Sequence, residues 1–218
     1  MKLAVFGASG GVGQHVVRLA ITRGDDVRAV YRTPSSMESS VHYTPIVSAN
    51  IVDSSSIAEV ITGVDAVVVA LGLRRRHPAN PWSRLTSPAT FTSQFAGQLV
   101  SVMHRPAMPK TVIAISAGGV GDSAVGLHPI LRYLFQWSTI GRAYADLERM
   151  EQVYRGSSLR WMCIRPTTLM DRAGPPRPVR ETASYGLMSR VARIDVAQFI
   201  LDCVVSPIWS DQTPTITG

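Results

Sequence analysis

Apolar residues along this chain come in short unbroken runs, separated by stretches in which they recur every three or four positions. Leu3-Ala4-Val5-Phe6 is apolar at every position, the mark of a strand covered on both faces. Val12, Val16, Val17, Leu19 and Ala20 then share one face of a helix, and Gly24 supplies its stop. Strands are predicted at 27–31 and 45–47, after which Asp53 caps a helix carrying Ile57, Val60 and Ile61. The run 66–70 is again apolar throughout. A helix over 91–103, a strand over 111–115, a helix over about 142–155, a strand over 161–164 and a late helix over 196–204 complete the series. Such repetition belongs to the α/β class, with a doubly wound, mostly parallel sheet in a single domain spanning 1–218. Two segments interrupt the rhythm. Residues from about 118 to 140 are Gly-rich and then apolar, and those from about 171 to 188 are rich in Pro and Arg. Connections of this length are expected to be substrate loops or lids, the plainer alternative being surface insertions.

Between the first strand and the first helix stands Gly7-Ala8-Ser9-Gly10-Gly11-Val12-Gly13. Glycines at this spacing, directly after a buried strand and opening a helix, form the phosphate-binding turn of a Rossmann fold. The middle glycine lets a pyrophosphate approach the backbone. The helix N-terminus adds free N–H groups and the positive end of its dipole. Gly7, Ser9, Gly10, Gly11, Val12 and Gly13 are therefore candidate cofactor-binding residues. The end of the second strand selects the dinucleotide. An Asp or Glu there accepts hydrogen bonds from the ribose of NAD, whereas this chain has Tyr31-Arg32-Thr33. The Arg32 guanidinium suits a 2′-phosphate, and Thr33 and Ser35 add hydroxyl donors. The cofactor predicted is NADP(H).

Composition narrows the picture further. Of 218 residues, 45% are hydrophobic and 17% charged, enough for one sizeable core and against long disorder. Cys163 and Cys203 have apolar neighbours, and no CxxC or HxxxH spacing occurs, so neither a disulfide scaffold nor a metal site is expected. The net charge is +7, almost all of its cations being arginine, with Lys2 and Lys110 the only lysines. Apart from Arg74-Arg75-Arg76 the arginines are scattered, with no aromatic-interleaved basic stripe. Nucleic acid is therefore not the expected partner, and an anionic dinucleotide accounts for the charge equally well. The opening apolar run stops at Gly7, too short for a signal peptide, and no run reaches the roughly 18 residues of a membrane span. A soluble cytoplasmic protein with no membrane partner is expected.

With these motifs in place, the chain resembles over essentially its whole length the atypical short-chain dehydrogenase/reductase superfamily. Within it, the chain looks most like the small NAD(P)H-binding proteins of NmrA-like and biliverdin reductase B-like type. The resemblance rests on GASGGVG at 7–13, the Tyr31-Arg32 strand end, Gly63 to Val68, Ile115 to Gly118, EQVYRGSSLRWMCIRP at 151–166, and Ala192-Arg193-Ile194-Asp195-Val196-Ala197. It implies that Asn50 and Ile51 lie near the adenine and that Ala70, Leu71 and Gly72 pass along the cofactor. It also implies that Ser116 reaches the nicotinamide region and that Pro166 and Thr167 line its pocket. One departure stands out. The Tyr-xxx-Lys pair usual in catalytic members falls here on Ala143 and Leu147. Tyr144 is one residue away, about 100° around a helix, with Glu148 four residues beyond it. No Tyr–Lys pair is assigned. Biliverdin reductase B-like proteins also manage without one, passing hydride to a bound flavin or tetrapyrrole.

The function expected is an NADP(H)-dependent oxidoreductase, a reductase whose acceptor is a flavin, quinone or other conjugated or aromatic small molecule. Ser116 is the catalytic candidate, the alternative being a simple contact to cofactor or backbone. Two other classes stay open: a non-catalytic redox sensor of NmrA-like type acting on a protein partner, and a non-redox isomerase or cyclase on the same fold. Several further residues admit two readings. His128 is a proton donor or a structural hydrogen bonder, and Leu131 to Trp137 is a pocket wall or a buried helix face. Arg172, Arg177 and Arg180 attract an acidic substrate or are solvated. Arg74 to His77 meets an anionic ligand or forms an exposed basic turn.

Overall fold

Successive residues of each central strand are buried against opposite helical layers. In β1 (Lys2–Phe6), Leu3 and Val5 join a core cluster with residues of α1 (Gly13–Thr22) and α6 (Arg193–Val205). Ala4 and Phe6 join the opposite cluster, with α2 (Ser54–Ile61), α3 (Phe91–Met103) and α5 (Thr139–Arg155). The strand β4 (Ala66–Val69) divides in the same way, and this two-sided burial explains its unbroken apolar run. The computed structural model describes residues 1–32, 42–47, 51–74, 76–77, 80–186, 188–206, 208 and 210–218.

The remaining strands are β2 (Asp26–Tyr31), β3 (Tyr43–Val47), β5 (Thr111–Ile115), β6 (Arg160–Pro166), β7 (Thr168–Met170), β8 (Arg180–Glu181), β9 (Arg190–Ala192) and β10 (Thr215–Thr217). Eight strands form one sheet in the order β3-β2-β1-β4-β5-β6-β10-β8. All pairings are parallel except β10 with β8, as the strand–helix rhythm predicts. Leu3 pairs with Val27 on one side and Ala66 on the other. The chain thus leaves β1 toward β3 and later returns to β4. The crevice beyond the carboxyl ends of β1 and β4 is the topological switch point where such sheets bind ligands.

The predicted elements agree with the observed ones within a few residues, and the differences have physical causes. The strands β7 to β10 have only two or three residues, too few for periodicity. Their pairings define them, β7 with β9 and β10 with β6 and β8. The segment 118–140 is not one irregular loop. It holds a 3-10 turn over Gly121–Gly126 and the helix α4 (Pro129–Gln136). Of the two readings of the apolar stretch, a helix is thus formed, but its Ile130 and Tyr133 are exposed. Among the described residues, no helix is long and apolar enough to cross a membrane.

Two helix starts show how side chains finish backbone bonding. Asp53 accepts from the N–H groups of Ser55 and Ser56, as predicted for a cap of α2. The cap residue of α3, Thr90, makes no such bond. A fully buried carboxylate on α5 does that work instead. Asp146 accepts from the Thr92 N–H at 2.8 Å and the Thr92 hydroxyl at 2.5 Å, and from the Ser93 hydroxyl at 2.5 Å. Replacing Asp146 by Ala strands these buried donors and is expected to cost about 2–4 kcal/mol. A melting temperature lower by about 5–15 °C in calorimetry is the corresponding observation. A shift under about 2 °C would refute the tie between α5 and α3.

Candidate functional site

The turn between β1 and α1 is shaped by backbone meeting backbone. Gly7 has φ +83°, and a Cβ there would stand 2.4 Å from the Ala70 carbonyl oxygen at the end of β4. A Cβ on Gly13 would stand 2.2 Å from the Gly7 oxygen. Only glycine fits either place. The Gly10 N–H donates to the Gly7 carbonyl at 2.9 Å, so the loop folds tightly onto the strand it leaves. A Cβ on Gly10 would stand 3.1 Å from the Gly7 oxygen, and Gly10 lines a cavity of about 290 Å³ beyond β1, β2 and β4. Open glycine backbone at a helix N-terminus is a cradle that fits the pyrophosphate of a dinucleotide.

Of the residues predicted to bind cofactor, Gly7, Ser9, Gly10, Arg32, Ile51, Ala70, Leu71 and Gly72 line this cavity. Thr33 and Asn50, with Ser35, lie outside the described residues. Val12 and Gly13 are buried, Val12 in the core beneath α1 and Gly13 against Gly7. Gly11 lies under the side chain of Arg193. Sequence reasoning missed part of the wall, supplied by Thr86, Ser87 and Phe91. Ser87 and Thr86 hold the strand-end loop in place: the Ser87 hydroxyl accepts from the Arg74 N–H, and the Thr86 N–H donates to the Arg74 carbonyl. Their signal in sequence was only the long link between β4 and α3. The described lining carries two arginines, Arg32 and Arg74, and no carboxylate.

Ser116, Pro166 and Thr167 stand apart from that cavity, at the carboxyl ends of β5 and β6. The Ser116 N–H donates to the Ile164 carbonyl at 2.7 Å, which locks the two strand ends together. The Pro166 carbonyl accepts from the Gly118 N–H, and the Thr167 N–H donates to the Ile216 carbonyl. Beneath Ser116 lies a buried ionic network. Its hydroxyl donates to Glu151 Oε1 at 2.5 Å. Arg165 grips the same carboxylate with Nε at 2.9 Å and Nη2 at 2.6 Å, and reaches Asp122 with Nη1 at 2.6 Å. Burial works against the Arg165 charge, but Glu151 and Asp122 outweigh it and raise the pKa above its ordinary value. Burial also opposes the Asp122 carboxylate, and Arg165 still holds it below the usual range. Ser116 therefore spends its proton on Glu151 and presents oxygen lone pairs as an acceptor. Sequence reasoning missed Glu151 and Arg165 as a pair, although the charge of Arg165 inside an apolar strand was a usable signal.

A second cavity of about 270 Å³ opens between residues 119–127 and the helices α4 and α5. Phe135 and Tyr144 form part of its wall, their rings 4.8 Å apart, with Arg132 and Glu148. The two lysines stand at the opposite end of the sheet. Lys2 begins β1, and Lys110 precedes β5 with its Nζ donating to the Met103 carbonyl at 2.5 Å. No Tyr–Lys pair can form at these strand ends. His128 is the cap of α4, its Nδ1 accepting from the Ile130 N–H. In the apolar stretch after it Phe135 turns inward, while Tyr133 and Trp137 are exposed. Arg172 is tied to Asp195, and Arg180 donates to the Gly218 carbonyl.

Comparison with known proteins agrees with this architecture. A family model described as NAD(P)H-binding matches residues 7–207. Among solved structures, a Lactobacillus casei protein superposes with a TM-score of 0.77 at 20% identity, covering 100% of this chain and 99% of that one. A short-chain dehydrogenase/reductase from Veillonella parvula in complex with NADP gives 0.76 at 14% identity, over 100% and 94%. ChuY, described as an anaerobilin reductase from Escherichia coli O157:H7, gives 0.73 at 18% identity, over 99% and 96%. At these identities the superpositions show a shared fold.

The glycine turn makes a direct prediction. Gly13→Ala forces two backbone segments apart and is expected to cost about 1–3 kcal/mol. Gly72→Ala, with nothing within 4 Å of its new Cβ, is expected to leave the melting temperature unchanged. Thermal melts of the two variants, with NADPH titrations by fluorescence, check both. Equal behaviour of the two would contradict the close-approach argument.

Proposed function

The chain belongs to the NAD(P)H-binding family, and from that premise we propose that it is an NADP(H)-dependent reductase. Its acceptor is a flavin, a quinone or another conjugated small molecule. The observation that carries the reading is the lining of the switch-point cavity, to which the described residues contribute Arg32 and Arg74 and no acidic side chain. A carboxylate would repel a 2′-phosphate, whereas a guanidinium at the end of β2 binds it with charge-assisted bonds. Gly7, Ser9, Gly10 and the N-terminus of α1 would hold the pyrophosphate. Ile51, with Asn50, would border the adenine. Ala70, Leu71 and Gly72 would lie along the cofactor, and Ser116, Pro166 and Thr167 would frame the nicotinamide end.

A reduced nicotinamide bound there supplies a hydride. The chain's own part is to hold the reactants against one another. Ser116, fixed by Glu151, offers an acceptor to a cofactor amide or to the substrate. Segments 118–140 and 171–188 act as the substrate loops. They are joined by a bridge between Leu127 and Tyr185, and the first supplies Phe135 to the aromatic wall with Tyr144. Without a Tyr–Lys pair, the acceptor takes its proton from solvent, which suits a conjugated system better than a simple ketone. The fold shared with a protein described as an anaerobilin reductase supports reduction of a small molecule. The absence of that pair also favours a second reading, an NADP(H) sensor without turnover.

The test is the absorbance of protein-bound NADPH mixed in turn with flavins, quinones, tetrapyrroles and simple aldehydes. Decay with one class supports the reductase. Tight binding with no decay supports the sensor, and product formed without net NADPH consumption supports an isomerase or cyclase. Arg32→Ala is expected to reduce the preference for NADPH over NADH by about 10- to 100-fold. An unchanged preference overturns the NADP(H) assignment. Ser116→Ala is expected to lower kcat about tenfold with little change in KM. A rise in KM alone would reduce Ser116 to a binding contact.

A further inference from the structure

Arg193 opens α6, and its side chain lies across the phosphate-binding turn. A Cβ added to Gly11 would stand 2.6 Å from Arg193 Nε and 2.7 Å from Cδ. Gly11 thus differs from Gly7 and Gly13: its missing side chain makes room for a guanidinium rather than for backbone. The Arg193 Nη1 donates to Asp171 Oδ1 at 2.8 Å, and the Asp171 side chain is 82% exposed.

A second ion pair joins the same two segments. Arg172 Nη2 donates to Asp195 at 2.6 Å, and the Arg177 N–H donates to the same carboxylate at 2.7 Å. Asp195 is buried, so this pair fastens the Pro- and Arg-rich loop to α6. The Asp171 pair is solvent-facing and adds little to that attachment. On the other side of the turn, His15 and Arg18 stand on α1. The His15 Nδ1 is buried without a partner, and burial, followed by the Arg18 charge, lowers its pKa, with Arg193 acting in the same direction. Two guanidinium groups, Arg18 and Arg193, thus act on His15 from near the turn, and the exposed Asp171 carboxylate acts against them.

We propose that Arg193 is a pyrophosphate-binding residue of the dinucleotide site, and that Asp171 holds its guanidinium until the cofactor's pyrophosphate displaces the carboxylate. This rests on the dinucleotide reading of the site. The exchange is favourable because a weak exposed pair is replaced by charge-assisted bonds to a dianion at a helix N-terminus. It also links the loop beginning at Asp171 to cofactor occupancy, since the loop loses one of its two ion pairs when the site fills.

The experiment is equilibrium binding of NADPH, NADH and adenosine 2′-monophosphate to wild type, Arg193→Gln and Asp171→Asn, with thermal melts of each protein. Arg193→Gln is expected to weaken NADPH and NADH alike by about tenfold, and to leave adenosine 2′-monophosphate, which has no pyrophosphate, unchanged. Asp171→Asn is expected to tighten both dinucleotides about two- to fivefold, an effect that shrinks at high salt. Melting temperatures near wild type keep any loss attributable to the contact. Wild type that binds neither dinucleotide would overturn the reading of the site itself. Wild type that binds both, with Arg193→Gln binding equally well, would overturn the role of Arg193 alone. Loss confined to NADPH would assign Arg193 to the 2′-phosphate and overturn its pyrophosphate role.

Discussion

The contact of Gly7 with Gly13 and with Ala70 is the constraint on which the rest of the site depends. At 2.2 and 2.4 Å from a would-be Cβ, three backbone segments approach more closely than any side chain allows. That approach brings the start of α1 against the end of β1 and sets β4 beside it. Gly7, Ser9 and Gly10 of the turn then border the crevice at the switch point. Arg32, Ile51 and Leu71 become neighbours of one cavity because they follow strands whose register this turn shares.

A different kind of interaction organises the other end of the sheet. Glu151 and Arg165 are buried and satisfy each other through two hydrogen bonds. A buried ion pair contributes little net stability, because desolvation offsets the attraction. What it provides is position. Glu151 orients the Ser116 hydroxyl, while Arg165 reaches outward to Asp122 and pins the turn that follows β5. A chain with no lysine near these strand ends thus still has a fixed polar group there.

The distribution of charge joins the two ends. Arg32 and Arg74 line the switch-point cavity, and Arg193 lies over Gly11 in the adjoining turn. The carboxylates nearby are engaged elsewhere: Asp53 caps α2, Asp195 ties a loop and Glu151 holds Arg165. A net charge of +7 is thus, in part, a local property of the site.

Much of this was legible in the residues themselves. Unbroken apolar runs identify strands covered on both faces, and glycine spacing after the first of them identifies the turn, because both reflect local rules of burial and sterics. The cap at Asp53 follows from equally local chemistry. Tertiary structure alone decided what depends on distant partners. It paired the short strands β7 to β10, placed Asp146 under α3, and turned Phe135 inward while Tyr133 faces solvent. It also laid Arg193 over Gly11, 182 positions earlier in the chain. Each of these is a contact across the fold, set by where whole elements pack, and no periodicity or spacing within a segment records it.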